Sequence, residues 1–149
     1  MFLVVSNNDL DLLALRAAVD ELPDGCGPVR AHGGVGLDPD GDVPDLAGVR
    51  VVLVRLLKGR AGWERPFGEL VERCRAEGIA LVATGGEAGL DADLAAASTV
   101  PAGTVAQAHE YWTRGGPANL ANLLRFLADT VLLEGFGFEP PQDIPAVGV

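Results

Sequence analysis

The chain has 149 residues, enough for one compact domain, and 48% of them are hydrophobic, so a core can form without disulfide or metal staples. Twenty-one acidic against eleven basic residues give a net charge of −10. That is the wrong sign for displacing phosphate counterions from nucleic acid or for adhering to an anionic membrane surface.

Met1–Ser6 lacks the basic flank and the length of a signal peptide. Every apolar run falls short of the roughly 20 residues a membrane span needs. Cys26 and Cys74 form no disulfide framework and suit a reducing cytoplasm.

In chain order, Phe2 to Val5 is a short apolar run that predicts a buried strand. Asn7 and Asn8 can cap the helix that follows, and Asp9 and Asp11 suit the positive end of its dipole. Within it Leu10, Leu13, Ala14 and Ala17 recur at helical spacing. Residues 23 to 45 are rich in Gly, Pro and Asp, which predicts a long connection with one weak strand near Val29 to His32.

Val49 to Leu57 is the strongest strand signal, nearly continuous in aliphatic residues as a central parallel strand should be. Pro66 opens a helix whose face is Phe67, Leu70, Val71 and Cys74, with Gly78 as its stop. Cys74 therefore reads as a small buried hydrophobe. Ile79 to Ala83 follows as another buried strand, completing a βαβ unit with parallel pairing.

From Pro101, Val105, Ala108, His109 and Trp112 keep helical spacing up to Gly115-Gly116. Pro117 then starts a second helix with Leu120, Leu123, Leu124, Leu127 and Val131 on one stripe. The pair predicts a helical hairpin whose apolar faces cover the sheet or meet a neighbouring domain. Residues 135 to 149 read as a Pro-rich extended linker toward a further domain, leaving 1 to 134 as the α/β domain. The fold class is thus a flavodoxin-like parallel sheet with flanking helices and a C-terminal helical hairpin.

Short motifs carry little chemistry. No segment matches G-x-x-x-x-G-K-[ST], and Gly33-Gly34-Val35-Gly36 fails the dinucleotide spacing. Asp38, Asp40 and Asp42 imitate the start of a calcium loop. Val43 replaces its turn glycine, however, and Val49 its closing glutamate, so a plain acidic loop is the better reading. His32 and His109 are the only imidazoles and neither belongs to a zinc-spaced cluster. His109 falls on an apolar helix face, as a buried histidine does. Ser6 and Ser98 lack a nucleophile-elbow context.

Position is more informative than motif. Ligands of open parallel sheets bind beyond the carboxyl ends of the strands. There the chain offers Arg55, Lys58 and Arg60 after one strand, and Thr84-Gly85-Gly86-Glu87 after the next. Arg55, Lys58 and Glu87 are the candidate substrate-binding residues, the cations suited to a carboxylate-bearing ligand. The competing reading pairs Arg55 internally with Glu87 or an Asp and leaves the glycines merely to turn the chain. No residue is a catalytic or metal-ligating candidate.

Several ordered stretches resemble one family. Val54-Arg55-Leu56-Leu57, with Gly59, Arg60 and Trp63, is similar to the "RLLGG…W" segment of the large subunit of aerobic cobaltochelatase, the CobN type. Asp91-Ala92-Asp93-Leu94 running to Ser98-Thr99-Val100-Pro101 resembles its acidic run ending in "STVP". Tyr111, Gly115-Gly116, Asn119 and the leucines that follow resemble its "Y-x-x-x-GG-x-x-N…LL-x-x-L" element, and Ser6 to Leu13 its start. Lys58 departs from the family's usual glycine, and Ala88 stands where many relatives keep an acidic residue.

The resemblance implies the N-terminal region of a cytoplasmic, ATP-dependent ligase that inserts Co²⁺ into hydrogenobyrinic acid a,c-diamide on the aerobic route to cobalamin. ATP would be hydrolysed by partner subunits, Co²⁺ and ATP would be used by the full complex, and this segment would bind no cofactor itself. Its partners would be the remaining domains of the subunit, the ATPase subunits and the carboxylated tetrapyrrole. Its own role would be that of scaffold or substrate-side wall, inactive alone. Magnesium chelatase large subunits, which place Mg²⁺ in protoporphyrin IX, share the elements more weakly. Two rival readings come from different classes: a standalone α/β interaction module, and a small enzyme using Gly85-Gly86 as an anion cradle. A receiver-like module is disfavoured because Arg55, not an aspartate, ends the central strand.

Overall fold

Short runs without polar alternation become strands covered on both faces. The computed structural model describes residues 1–34, 37–86 and 89–143. Among them are β1 (Phe2–Ser6), β2 (Val29–Gly33), β3 (Val51–Leu56) and β4 (Ala80–Gly85). They form one parallel sheet in the order β2-β1-β3-β4. Every residue of β1 and β3 is buried, whereas β2, at one edge, is only half-buried.

The helices are α1 (Asp9–Val19), α2 (Glu64–Glu77), α3 (Ala92–Ala97), α4 (Ala102–Arg114) and α5 (Gly116–Thr130), with a 3₁₀ turn at Gly59–Trp63 before α2. The sheet order, with β1 central and the chain crossing from β2 to β3, is the flavodoxin-like arrangement expected from the sequence. Alternate strand residues feed two cores, because successive side chains point to opposite faces. Phe2, Val4, Val51, Leu53 and Val82 meet α1, α4 and α5. Leu3, Val5, Val52, Val54 and Leu81 meet Trp63, α2 and α3. The helical hairpin α4–α5 therefore covers the sheet beside α1.

Local signals explain most boundaries. Asn8 caps α1 by accepting the Leu10 N–H at 3.1 Å. Gly78 ends α2 in the left-handed conformation at φ 69, where a glycine pays no Cβ penalty. Cys74 is fully buried, and burial pushes its thiol up to about 11. Helix α3 is short and alanine-rich and escapes the periodicity argument. It is started by Asp91, whose carboxylate accepts the Leu94 N–H at 3.1 Å.

Two features differ from the sequence reading. On α1 the core-facing residues are Asp11, Leu15 and Ala18, while Leu10 and Leu13 are exposed. The apolar spacing of Leu10, Leu13 and Ala17 therefore marks a second, outward face. Residues 135–143 are extended, but they are strapped along the helical hairpin. Asp129 accepts the N–H groups of Phe136 and Gly137, both at 2.7 Å. Asn122 accepts that of Glu139 at 2.9 Å, and Asn119 pairs with both backbone groups of Gln142. Phe138 meets Phe126 edge-on at 5.2 Å. Residues 144–149 lie outside the described residues.

Candidate functional site

The carboxyl ends of β1 and β3 flank the point where the chain reverses direction across the sheet, the usual crevice of such folds. Here the protein fills that crevice itself. Asn7, just after β1, accepts the Leu57 N–H at 2.8 Å and donates to the Leu57 carbonyl at 3.3 Å. Its side chain thus behaves as a short piece of strand joining the two loops.

Beneath it lies a buried polar cluster. Arg55, near the end of β3, is 8% exposed, and its Nη1 donates to Asp11 Oδ1 at 2.7 Å. Ser6 Oγ donates to the other carboxylate oxygen at 2.8 Å. Arg55 Nε reaches the Gly85 carbonyl at 3.4 Å, and the guanidinium lies 5.6 Å from the Trp112 ring centroid. Trp112 itself is 2% exposed. The cluster therefore joins α1, β1, β3, the end of β4 and α4. A carboxylate and a guanidinium removed from water need such mutual satisfaction. Ser6 is fully buried and its hydroxyl is committed to Asp11, so it is not presented as a nucleophile.

Of the three predicted substrate-binding residues, Arg55 is thus paired internally, with Asp11. Glu87 lies outside the described residues, as does Ala88. Lys58 is exposed at the turn after β3 and forms no ion pair among the described residues. Its backbone is left-handed, φ 67, which glycine adopts without strain; the family's usual glycine suits this position better than lysine does.

Lys58 borders an open cavity of about 550 Å³ lined by Gly59, Arg60, Glu64, Asp91 and Asp93. Arg60 is held by Glu64 at 3.1 Å and stacks over Phe67, so Lys58 is the cation left facing the space. Three carboxylates against two cations make the wall slightly acidic. Nor is Gly85 an open anion cradle, because a Cβ there would touch the Asp91 side chain at 3.1 Å. Gly86 has a packing reason: a Cβ would collide with the Leu57 side chain and lie 3.3 Å from its Cα.

Asp11, Ser6 and Trp112 are the members of the cluster that sequence reasoning missed. The signal available was the placement of Asp11 one and two turns before Leu15 and Ala18, on the face the core claims. His109 is 2% exposed, as its apolar position suggested. Among the described residues no three His, Cys, Asp or Glu side chains converge as metal ligands, and no helix is long and apolar enough to cross a membrane.

No family model matches the chain, and no curated protein matches it significantly. Among solved structures, the catalytic subunit of cobaltochelatase from Mycobacterium tuberculosis matches 97% of the chain with a TM-score of 0.77 and 35% sequence identity. The chain resembles a segment of a cobaltochelatase catalytic subunit. It spans 11% of that subunit's length. The likeness to the cobaltochelatase large subunit, visible in separate stretches of sequence, thus extends to a shared three-dimensional arrangement over almost every residue.

Proposed function

We propose that these 149 residues form the N-terminal scaffolding segment of a cobaltochelatase large subunit. In this reading the whole assembly is cytoplasmic, uses ATP hydrolysed by partner subunits, and inserts Co²⁺ into hydrogenobyrinic acid a,c-diamide. Cobalt and the tetrapyrrole are substrates whose joining takes place in other parts of the subunit, with this segment as scaffold or substrate-side wall. The observation that carries the proposal is the match to a cobaltochelatase catalytic subunit over 97% of the chain at 35% identity.

The geometry supports a scaffold over a catalytic unit. The crevice where a flavodoxin-like domain would hold a ligand is filled by Asn7 and the Ser6–Asp11–Arg55 cluster. Within the scaffold reading, Lys58 is the residue proposed to face the carboxylated ring, and Arg55 is a positioning residue beneath its loop. Glu87, two residues beyond β4, belongs to the same proposed edge by sequence position.

Isolation of the native protein from its own cells tests the reading. Peptides of this sequence are expected in a polypeptide roughly nine times longer, which the 11% coverage implies, co-purifying with an ATPase. A native product of 15.4 kDa that binds ATP saturably overturns it.

A further inference from the structure

We infer that Asn7 is a positioning residue for Lys58: its side chain fixes the turn after β3 so that the ammonium group is presented to a carboxylate-bearing ring. The inference rests on the proposed function, which supplies that ring.

The turn is unfavourable on its own. Lys58 is left-handed at φ 67 and ψ 18, and Gly59 follows at φ 77. Glycine adopts this region freely, whereas lysine brings its Cβ too close to its own backbone. A non-glycine residue keeps such a conformation only where its surroundings over-determine it, and such positions cluster at ligand sites. Lys58 is exposed, so burial of its own side chain does not hold it there. The constraint comes from the residues around it.

Ahead of the lysine that constraint is Asn7. Strands β1 and β3 pair as far as Ser6 with Arg55, and the Asn7 N–H then donates to the Arg55 carbonyl at 3.4 Å. In a continuing parallel ladder the next bond would join the Leu57 N–H to the Asn7 main-chain carbonyl. The chain has by then turned aside toward α1, and the Asn7 side chain takes over. Its Oδ1 accepts the Leu57 N–H at 2.8 Å, and its Nδ2 donates to the Leu57 carbonyl at 3.3 Å. One amide thus meets both backbone groups of one residue, which requires a donor and an acceptor side by side. The Leu57 carbonyl belongs to the peptide bond that leads into Lys58, so its orientation sets where the lysine begins.

The remaining sides are closed by packing. The Leu57 side chain lies so tightly over Gly86 that a Cβ there would collide with it. Past the lysine, a Cβ on Gly59 would meet Asp91 Oδ2 at 3.1 Å, and Asp91 is itself committed to capping α3. Lys58 therefore stands between two anchored neighbours, beside the open cavity that it borders. Loss of the Asn7 amide frees the peptide ahead of it. The lysine then relaxes toward a right-handed or extended backbone, and its ammonium group leaves the edge.

Steady-state kinetics of the full subunit with its ATPase partners, varying hydrogenobyrinic acid a,c-diamide, test this. Asn7→Ala is expected to raise the KM for the ring roughly two- to fivefold, as much as Lys58→Ala does, with kcat unchanged. The double variant should show no further rise, because Asn7 acts through Lys58. Hydrogen exchange should speed up over residues 57–60 and stay slow over 51–56. Effects that multiply in the double variant overturn the inference, since the two residues then act independently. An unchanged KM in Asn7→Ala, where Lys58→Ala raises it, also overturns the inference. The proposed function survives both results. An unchanged KM in Lys58→Ala removes the lysine contact and the inference together, and a native subunit without chelatase turnover removes the proposed function as well. Should Asn7→Ala fail to fold, Gly86→Ala repeats the test from the opposite side by displacing Leu57. The same rise in KM is expected, and it should vanish in the Lys58→Ala background.

Discussion

Asp11 and Arg55 meet at 2.7 Å inside the protein, one from the first turns of α1 and the other from the end of β3, and each side chain is only 10% exposed. The pair ties the helix to the central strand below the loop that carries Lys58. Removing one partner of a buried ion pair leaves an uncompensated charge, at a cost of about 3–5 kcal/mol, whereas replacing both with well-packed apolar groups is often neutral. Asp11→Leu and Arg55→Met are each expected to destabilise by about that much, and the double variant by far less than the sum. Urea unfolding of the three variants checks this, and strict additivity would sink the coupling.

At Lys58 the left-handed backbone and the charge can be tested separately. A non-glycine residue in this region costs roughly 1–2 kcal/mol, so Lys58→Gly should stabilise the chain by about 1 kcal/mol while Lys58→Ala should not. If the lysine attracts the carboxylated ring, both changes should weaken tetrapyrrole binding by the full subunit to the same degree. Loss with glycine alone points to loop geometry instead of charge, since alanine keeps the backbone preference of lysine. Unchanged affinity in both removes the proposed contact.

Burial raises the thiol of Cys74 to about 11 from its usual 9.0. Below pH 9 the folded and unfolded chains both keep the proton, and the stabilising contribution is fully present. Between pH 9 and about 11 the unfolded chain ionises first and binds fewer protons than the folded one, so stability falls as pH rises. The difference between the native chain and Cys74→Ala should therefore shrink across that window. At pH 8 the folded protein should leave Cys74 unmodified by thiol reagents until it is denatured. Rapid modification without unfolding would contradict the packing of α2.

The parallel sheet and four of the five helices among the described residues were legible because their signals are local: continuous aliphatic runs, proline near a first turn, and glycine at a stop. The short α3 was not, since six residues hold less than two helical turns and its start rests on one aspartate. The polarity of α1 was misleading for a different reason. Periodicity shows that leucines share a face, but not whether that face looks inward, and here the buried line is led by Asp11. Position drew attention to the carboxyl ends of the strands, where the buried cluster lies. The internal pairing of Arg55 with an aspartate was among the sequence readings; what stayed hidden was which one, because Asp11 is 44 residues away and its type fitted a helix dipole equally well.

By composition alone, residues 136–142 would be a free linker; in the fold they are a strap. Asn119, Asn122 and Asp129 lie on one side of α5, three and seven residues apart, and each takes a backbone N–H of the strap. Asn119 also donates to the Gln142 carbonyl at 2.7 Å, reproducing a strand pairing with one side chain. Asn119→Ala would leave two backbone groups without their partners. With each hydrogen bond worth about 0.5–1.5 kcal/mol net, the expected loss is about 1–3 kcal/mol. Asp129→Ala should act on the other end of the strap, freeing Phe136 and Gly137. Because the strap packs on the outside of the hairpin, both variants should keep the sheet intact. Hydrogen exchange should speed up across 136–142 and remain slow in β1 and β3. Uniform acceleration throughout the chain would mean that the strap is part of the cooperative core, and that the hairpin cannot hold its place on the sheet without it.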